Sequence, residues 1–376
     1  MKRLLMATIA ALALVACSGD LRDDTESEQT DDVTEELTGA RRVYTASNSS
    51  AGNRIHTYAI TAEGGLLTRG TWSTVGRGTS GFLGNQGGMT LAKNGEFILV
   101  VNAGSNDFSS MRVRSDGSLQ FVDRIGSGGT RPISVTTRGS LAYVLNAGGT
   151  GNITGFRVDD SGMLSRISGS TRSLSSASSD PAQVGFSPDG RWLVVTELAT
   201  TTVNTYSVGT NGLATGPIVN RSSGLSPFGF AFASDGTLVV SEAFADRANA
   251  SAVSSYAIRS DGTLRVLSGS VRTNQSAACW VAIPPSSRYA YVTNTASGSI
   301  SRFSIREGRL TLVSTLRTGT GSLPVDLTFS PTGAALFVHL AGTNRIASYR
   351  VGSTTGSLSR VDTIAVPPTA NGIVAR

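Results

Sequence analysis

Short apolar runs alternate with glycine-centred polar turns along almost the whole chain after about residue 40. Runs such as ILVV (98–101) and YAYV (289–292) are separated by NG, DG and SG dipeptides. No window beyond the first twenty residues shows a sustained 3.6-residue apolar period with helix caps. The pattern therefore predicts an all-β protein.

One unit recurs seven times in this pattern. Each copy reads as strand, tight turn, strand, loop, strand and a glycine turn that leads into a fourth strand, and four strands per repeat is the size of a propeller blade. The second strands are apolar on both faces, which favours sheets covered on both sides over a sandwich with one wet face. Successive turn glycines are 52, 45, 50, 50, 46 and 48 residues apart, at Gly65, Gly117, Gly162, Gly212, Gly262, Gly308 and Gly356.

The first and last segments of this array complement each other. The first repeat starts at RRVYTAS (41–47), which matches a second strand, so its inner strand is missing. PPTANGIVA (367–375) resembles the inner strands of the other repeats, and no repeat follows it. We therefore expect a seven-bladed β-propeller over residues 41–376, closed by the C-terminal strand completing blade one.

The first residues look like an export signal. Two basic residues precede an apolar run (4–16) that is too short to span a bilayer. The following LVAC (14–17) resembles the lipobox of bacterial lipoproteins, which implies a signal peptide over 1–16 and acylation of Cys17. By the same resemblance, Ser18 favours sorting to the outer membrane. Ordinary signal-peptide cleavage after Ala16 is the alternative.

Charge divides the chain into two parts. Residues 20–36 contain nine carboxylates and one Arg, so we expect an acidic, solvated tether over 17–40. Residues 37–376 hold 29 of the 32 basic and 17 of the 26 acidic residues, scattered without a stripe. This favours a soluble, monomeric propeller, with attraction to anionic envelope components as the alternative, and it argues against nucleic-acid binding.

Several stretches resemble a known family. YVTN (291–294) is the motif that names a class of bacterial surface propeller repeats, and SPDGRWLVVTELATTTV (187–203) and FAFASDGTLVVSEAF (230–244) fit the same pattern. Together they resemble the seven-bladed lactonase-like family, which includes 6-phosphogluconolactonases and carboxymuconate cyclases. The resemblance covers residues 41–376. It implies an active site of His, Arg and Glu side chains at one mouth of the ring.

The matching positions differ from that pattern. Asp180 and Ala182 stand where the resemblance expects histidines, and Phe228 and Gly229 stand where it expects Arg and His. Only the acidic position is kept, as Glu242. A neutral-pH general base is easiest with His, and an anionic substrate usually needs Arg. We therefore expect a ligand- or partner-binding propeller that has lost the family's chemistry.

The alternative is a lactone hydrolase or cyclase with an acidic site. Glu197 and Glu242 lie in adjacent blades, and two nearby carboxylates could divide the acid and base roles. They belong to a wider set at the ends of the second strands in five consecutive blades. These residues either cap turns or line a polar mouth for a hydroxyl-rich or cationic ligand. The set comprises Asn102, Asn146, Glu197, Glu242 and Asn294.

Four further residues at the starts of inner strands complete the predicted site. Asp180, Gln183 and Asp326 are candidate ligand-binding residues, and Arg131 is the nearest substitute for the missing Arg. The ligand would be a small molecule, such as a lactone or a carbohydrate, or another envelope component. After acylation of Cys17, Cys279 is the one remaining thiol, so we expect no metal site and no cofactor.

Overall fold

Residues 41–376 form a ring of seven β-sheets in a computed structural model of the chain. The structure describes these residues, so the predicted signal peptide (1–16) and tether (17–40) lie outside the described part. No helix within 41–376 is long and apolar enough to cross a membrane. The all-β, seven-bladed prediction is confirmed.

The strands are numbered in chain order. Blade one contains β1 (Arg42–Ala46), β2 (Arg54–Ile60) and β3 (Leu66–Ser73). Blade two contains β4 (Met89–Ala92), β5 (Phe97–Asn102), β6 (Asp107–Val113) and β7 (Leu119–Gly126). Blade three contains β8 (Pro132–Arg138), β9 (Leu141–Asn146), β10 (Asn152–Val158), β11 (Leu164–Arg166) and β12 (Arg172–Ser173). Blades four and five contain β13 (Pro181–Phe186), β14 (Trp192–Glu197), β15 (Thr202–Val208) and β16 (Ala214–Ile218); and β17 (Pro227–Phe232), β18 (Leu238–Glu242), β19 (Ala252–Ile258) and β20 (Leu264–Arg272). Blades six and seven contain β21 (Ala278–Ala282), β22 (Tyr289–Asn294), β23 (Ser299–Arg306) and β24 (Arg309–Arg317); and β25 (Pro324–Phe329), β26 (Ala335–Leu340), β27 (Arg345–Val351) and β28 (Leu358–Ala365). The last strand is β29 (Asn371–Ala375).

The C-terminal strand closes the ring. Sheet one has the order β29–β1–β2–β3, so β29 supplies the inner strand that the first repeat lacks. The Arg42 amide donates to the Arg376 carbonyl at 2.9 Å, and Thr45 Oγ1 donates to the Gly372 carbonyl at 2.7 Å. The closure predicted from the two ends of the array is therefore correct.

The recurring glycine turns join neighbouring blades. Tyr44, Tyr143 and Tyr291 each lie on a second strand and donate a hydroxyl hydrogen bond to the carbonyl of the turn glycine in the next blade, at 2.6–3.1 Å. Gly356 shows why glycine is required: its φ is +69°, and a Cβ there would collide with the rings of Tyr289 and Tyr291. The turn glycines thus recur once per blade because each one forms a contact with the preceding blade.

Blade one differs by one residue from the pattern expected in the sequence. The glycine with positive φ in its turn is Gly64, at +88°, and not Gly65. Gly64 also precedes Leu66 by two residues, so it fits the Gly-x-Leu pattern of the other copies. Because Gly64 and Gly65 are adjacent and both fit the Gly-x-Leu pattern, the sequence does not distinguish which of them is the turn glycine.

Arginine side chains supply a second set of inter-blade contacts, which accounts for part of the basic composition. Each reaches a backbone carbonyl in the turn of the following blade rather than a carboxylate. Five of them form this series around the ring: Arg42, Arg112, Arg157, Arg288 and Arg350.

Candidate functional site at the ring mouth

The start of the inner strand is irregular in six of the seven blades. The ladder between the first and second strands shifts register there, for example between Pro181 and Gln183, between Pro227 and Phe230, and between Pro324 and Leu327. Such bulges re-aim side chains and often lie beside functional sites. The positions that the family resemblance singles out, Ala182, Phe228 and Gly229, fall within these shifts.

The connection from blade one to blade two fills the centre of the ring mouth, which is the face where the inner strands begin. It contains 15 residues, 74–88, whereas the other six connections between blades contain five to eight residues. Its last part, residues 82–88, is named here the axial plug. The axial plug forms hydrogen bonds to the inner strands of blades one, three, four and six.

Gln86 makes the deepest contacts of the axial plug. Its backbone N–H donates to the Ala182 carbonyl at 3.1 Å. Its side-chain amide donates to the Val281 carbonyl at 2.7 Å and accepts from the Val281 N–H at 3.1 Å. A Cβ at Gly229 would overlap Gln86 Oε1, so the absence of a side chain there gives the Gln86 amide its space.

Asn85 and an aromatic cluster fix the rest of the axial plug. The Asn85 side chain donates to the Ile133 carbonyl and accepts from Asn371 Nδ2, the latter at 2.7 Å. The Asn85 carbonyl accepts from the indole N–H of Trp280 at 2.8 Å. The Trp280 ring packs edge-on against Phe228 at 4.8 Å and Phe82 at 6.1 Å between ring centroids. Phe228, at the expected arginine position, is therefore part of an apolar cluster.

The three predicted Asn residues hold loops in place. Asn102 accepts from Thr74 and Asn53 and donates to Asp107 and Ser109, and its side chain is fully buried. Two other fully buried residues have the same place in their blades: Asn146 donates to the Ser127 carbonyl, and Asn294 donates to Ser299 and Ser301. These contacts agree with the turn-capping interpretation.

The two predicted catalytic glutamates have the same surroundings. Glu197 is fully buried and accepts hydrogen bonds from Ser175, Thr200 and Asn204. Ser175 lies in the connection that precedes blade four, so Glu197 anchors that connection. The catalytic role of Glu197 remains a prediction.

Glu242 anchors the connection that precedes blade five in the same way. It is fully buried and accepts from the Gly224 N–H at 2.8 Å and from the hydroxyls of Ser254 and Ser270 at 2.5 and 2.7 Å. Burial raises the pKa of the Glu242 carboxyl, and these hydrogen bonds oppose the increase. Glu197 and Glu242 share no hydrogen-bond partner, so they do not form one carboxylate pair network.

The remaining rim residues divide into accessible and buried ones. Asp180 is exposed, with φ of +48°. Arg131 is also exposed, and its guanidinium donates to the Leu83 carbonyl of the axial plug at 3.4 Å. Gln183 is buried, and its amide exchanges two hydrogen bonds with the backbone of Phe230 in the next blade. Arg131 thus holds the axial plug, and Gln183 joins two inner strands.

A small cavity remains between the axial plug and blades six, seven and one. Its volume is about 90 Å³, and Asn85, Trp280, Asp326, His339 and Asn371 line it. We name it the axial cavity. Asp326 and His339 are both almost fully buried, and they lie on the paired strands β25 and β26 beside a register shift. No group of three or more His, Cys, Asp or Glu residues within 41–376 could hold a metal ion.

Burial shifts the pKa values of both titratable groups in the axial cavity. It raises the pKa of Asp326 to about 7, although the backbone amides of Leu327 and Ile373 lower it. It lowers the pKa of His339 to about 4. Between these values Asp326 is protonated and His339 is neutral. The axial cavity therefore presents uncharged donors and acceptors over that range.

The sequence contained one overlooked signal for this arrangement. The interval between the first two turn glycines is the longest of the six, and the excess falls in residues 74–88. A long connection above a rigid scaffold often carries function. His339 had only its position near the end of a second strand to suggest a role.

We expect opposite pH dependences of stability when the two cavity residues are replaced singly. The unfolded Asp326 carboxyl ionises near pH 4 and the folded one near 7, so its contribution to stability falls as pH rises between these values. The unfolded His339 loses its proton near pH 6.5 and the folded one near 4, so its contribution rises. Relative to wild type, Asp326→Asn should add a positive slope and His339→Gln a negative slope, each up to about 1.4 kcal/mol per pH unit.

Urea unfolding at pH 4.5, 5.5 and 6.5 measures these slopes. Asp180→Asn is the matched control, because that aspartate is exposed in the residue before β13, and its curve should run parallel to wild type. Slopes of the same sign for both cavity variants would contradict the burial of Asp326 and His339 described here.

Comparison with known proteins places this arrangement in a family. The sequence model of the protein family described as "Lactonase, 7-bladed beta-propeller" matches residues 42–373. No curated protein sequence matches the chain.

Solved structures share the fold at low sequence identity. A periplasmic gluconolactonase of Pseudomonas aeruginosa is 17% identical with a TM-score of 0.70, and the match covers 89% of this chain and 98% of that one. A Lactobacillus plantarum protein is 16% identical with a TM-score of 0.74, covering 90% and 99%. A Bacteroides uniformis protein, provisionally assigned as a 6-phosphogluconolactonase, is 18% identical with a TM-score of 0.71, covering 90% and 100%. Since the family model spans nearly the whole ring, this chain belongs to the seven-bladed lactonase family of β-propellers.

Proposed function

We propose that this protein is an exported lipoprotein of the bacterial envelope whose propeller binds a ligand or partner and does not carry out the family's lactone chemistry. One observation carries the proposal: the Gln86 side chain lies at the ring mouth, beside the positions where the family resemblance expects His and Arg.

The groups at those positions support the loss of catalysis. General-base work at neutral pH is easiest with an imidazole within reach of a substrate proton. Three of the four positions, Ala182, Phe228 and Gly229, have no titratable group, and the fourth offers the carboxyl of Asp180 in place of an imidazole. A histidine at position 229 would also displace Gln86 from its two hydrogen bonds to Val281. The substitution and the axial plug therefore depend on each other.

The substitute for the missing Arg is partly committed to the axial plug. An arginine that binds a substrate anion forms charge-assisted hydrogen bonds through paired N–H groups. One N–H of the Arg131 guanidinium donates to the Leu83 carbonyl at 3.4 Å. In our proposal the accessible rim residue Asp180 and the cavity residue Asp326 take part in binding.

The second candidate is a lactone hydrolase or cyclase with an acidic site around Glu242 and Glu197. It is favoured by the raised pKa of the Glu242 carboxyl, because burial brings the pKa of a carboxyl closer to the range that a general acid needs. Structural relatives described as gluconolactonases favour it too. The full burial of both glutamates argues against it, since neither carboxyl is exposed to a substrate at the mouth.

A lactone-opening assay separates these candidates. We expect no turnover of 6-phosphogluconolactone or glucono-δ-lactone above the rate without protein. If Glu242 were the general acid or base, wild type would be active and Glu242→Gln would lower the rate by about 10²–10⁴-fold. Asp261→Asn, which changes an exposed aspartate, is the control. Robust wild-type hydrolysis that Glu242→Gln removes at an unchanged content of folded protein would establish the hydrolase.

Membrane attachment is the second part of the proposal. The basic residues, short apolar run and LVAC sequence support acylation at Cys17, and Ser18 supports the outer membrane. The acidic residues 20–36 would then separate the lipid from the ring. Anchoring through lipid needs no spanning helix.

Replacing the anchoring thiol tests this part. Cys17→Ser should abolish palmitate labelling and move the protein from the membrane fraction to the soluble fraction, because the acyl chains would have no attachment site. Cys279→Ser is the matched control, since that thiol is buried in the ring and burial raises its pKa to about 12. Labelling that persists in Cys17→Ser would rule out lipidation at this residue.

A further inference from the structure

His339 has a buried nitrogen without a partner. The His339 side chain lines the axial cavity, its Nε2 atom has no hydrogen-bond partner within residues 41–376, and the residue is 3% exposed. Leaving such a group unpaired costs about 1–3 kcal/mol, and nearly all buried polar groups in proteins avoid this with a partner. The geometry therefore calls for a molecule in the cavity that brings a hydrogen-bonding group to the His339 imidazole.

Asp326 has spare hydrogen-bonding capacity at the same cavity. The carboxyl accepts from the Leu327 N–H at 2.9 Å and also faces the Ile373 N–H, and no side chain within 41–376 donates to it. A carboxyl can accept several hydrogen bonds, and when protonated it also donates one. Asp326 and His339 thus provide two polar contacts on neighbouring strands.

The opposite wall of the cavity is apolar and held in place. The Trp280 ring is fixed by its N–H bond to the Asn85 carbonyl and by edge contacts with Phe82 and Phe228. Phe82 is 69% exposed and marks the outer end of the cavity, beside residues 368–370. A ligand can therefore reach the cavity from the mouth without unfolding a blade.

We propose that the axial cavity binds one small uncharged diol, with its two hydroxyls on Asp326 and His339 and its apolar face on Trp280. This inference rests on the proposed binding function and names the site and the chemical class for it. The volume of about 90 Å³ has room for several waters or one small organic molecule. No Lys or Arg lines the cavity to compensate an anion, and burying an unpaired charge is costly.

Propane-1,2-diol is a suitable probe, because it carries two hydroxyls and a methyl group. In NMR titrations at pH 6, the Trp280 indole N–H and the His339 ring signals should shift saturably. The indole signals of Trp72 and Trp192 serve as internal controls and should not move. Acetate, a charged molecule of similar size, should give no saturable shift at Trp280.

Variants assign the contacts. His339→Leu and Asp326→Ala, which remove the hydrogen-bonding groups, should each weaken binding at least tenfold. Asp326→Asn, which keeps hydrogen bonding without a charge, should stay within threefold of wild type. His56→Leu, in blade one, is the histidine control and should bind like wild type. If His339→Leu does not fold, the comparison of Asp326→Ala with Asp326→Asn decides.

Absence of a saturable Trp280 shift would mean that the cavity holds only water, and it would overturn the inference. Equal affinity in wild type and Asp326→Ala, or binding of acetate in place of the diol, would overturn it as well. These outcomes are independent of the lactone assay. Diol binding together with lactone hydrolysis would instead refute the proposed loss of catalysis and keep the cavity assignment.

Discussion

The structure of the ring mouth depends on which groups form hydrogen bonds with the backbone N–H and C=O groups of the inner strands near the ring axis. Seven sheets arranged around an axis leave polar backbone groups that cannot pair within their own ladders where the register shifts. A buried N–H or C=O must find another partner. Gln86 supplies a donor and an acceptor in one planar amide, and both bind Val281. Glycine at position 229 follows, because a Cβ there would overlap Gln86 Oε1.

The same requirement explains why position 102 holds Asn and position 197 holds Glu. Glu197 faces donors only, which are hydroxyls and N–H groups, so an acceptor-only carboxylate suits it. Asn102 must accept from Asn53 and Thr74 and also donate to Asp107 and Ser109, so an amide suits it. The apparent carboxylate pair of blades four and five therefore reflects the hydrogen-bonding needs of two connections.

The fold could be predicted from the sequence because the same unit of turns and strands recurs in every blade. The turn glycines, the apolar second strands and the missing inner strand of repeat one give the same architecture, and inter-blade bonds such as that of Tyr291 to Gly356 impose the repeat length. The site was harder to predict because it departs from the repeat. Residues 82–88 have no equivalent in other blades, and the register shift that places Asp326 beside His339 leaves no trace in the apolar pattern.

Family membership and activity rest on different parts of the chain. The ring is maintained by contacts between blades, which tolerate the low identity to solved structures. Activity would depend on a few side chains at the mouth, where the four positions hold Asp180, Ala182, Phe228 and Gly229. The consequence is a lactonase-family scaffold whose centre is filled by its own chain.

Amide hydrogen exchange at Val281 tests that claim most directly, because the N–H of this residue donates to Gln86 Oε1. We expect protection in wild type comparable to that of Val194 in the ladder of blade four. In Gln86→Ala the Val281 amide should exchange about 100-fold faster, with Val194 unchanged. Free exchange of Val281 in wild type, or exchange that Gln86→Ala leaves unaltered, would contradict an axial plug at the ring mouth.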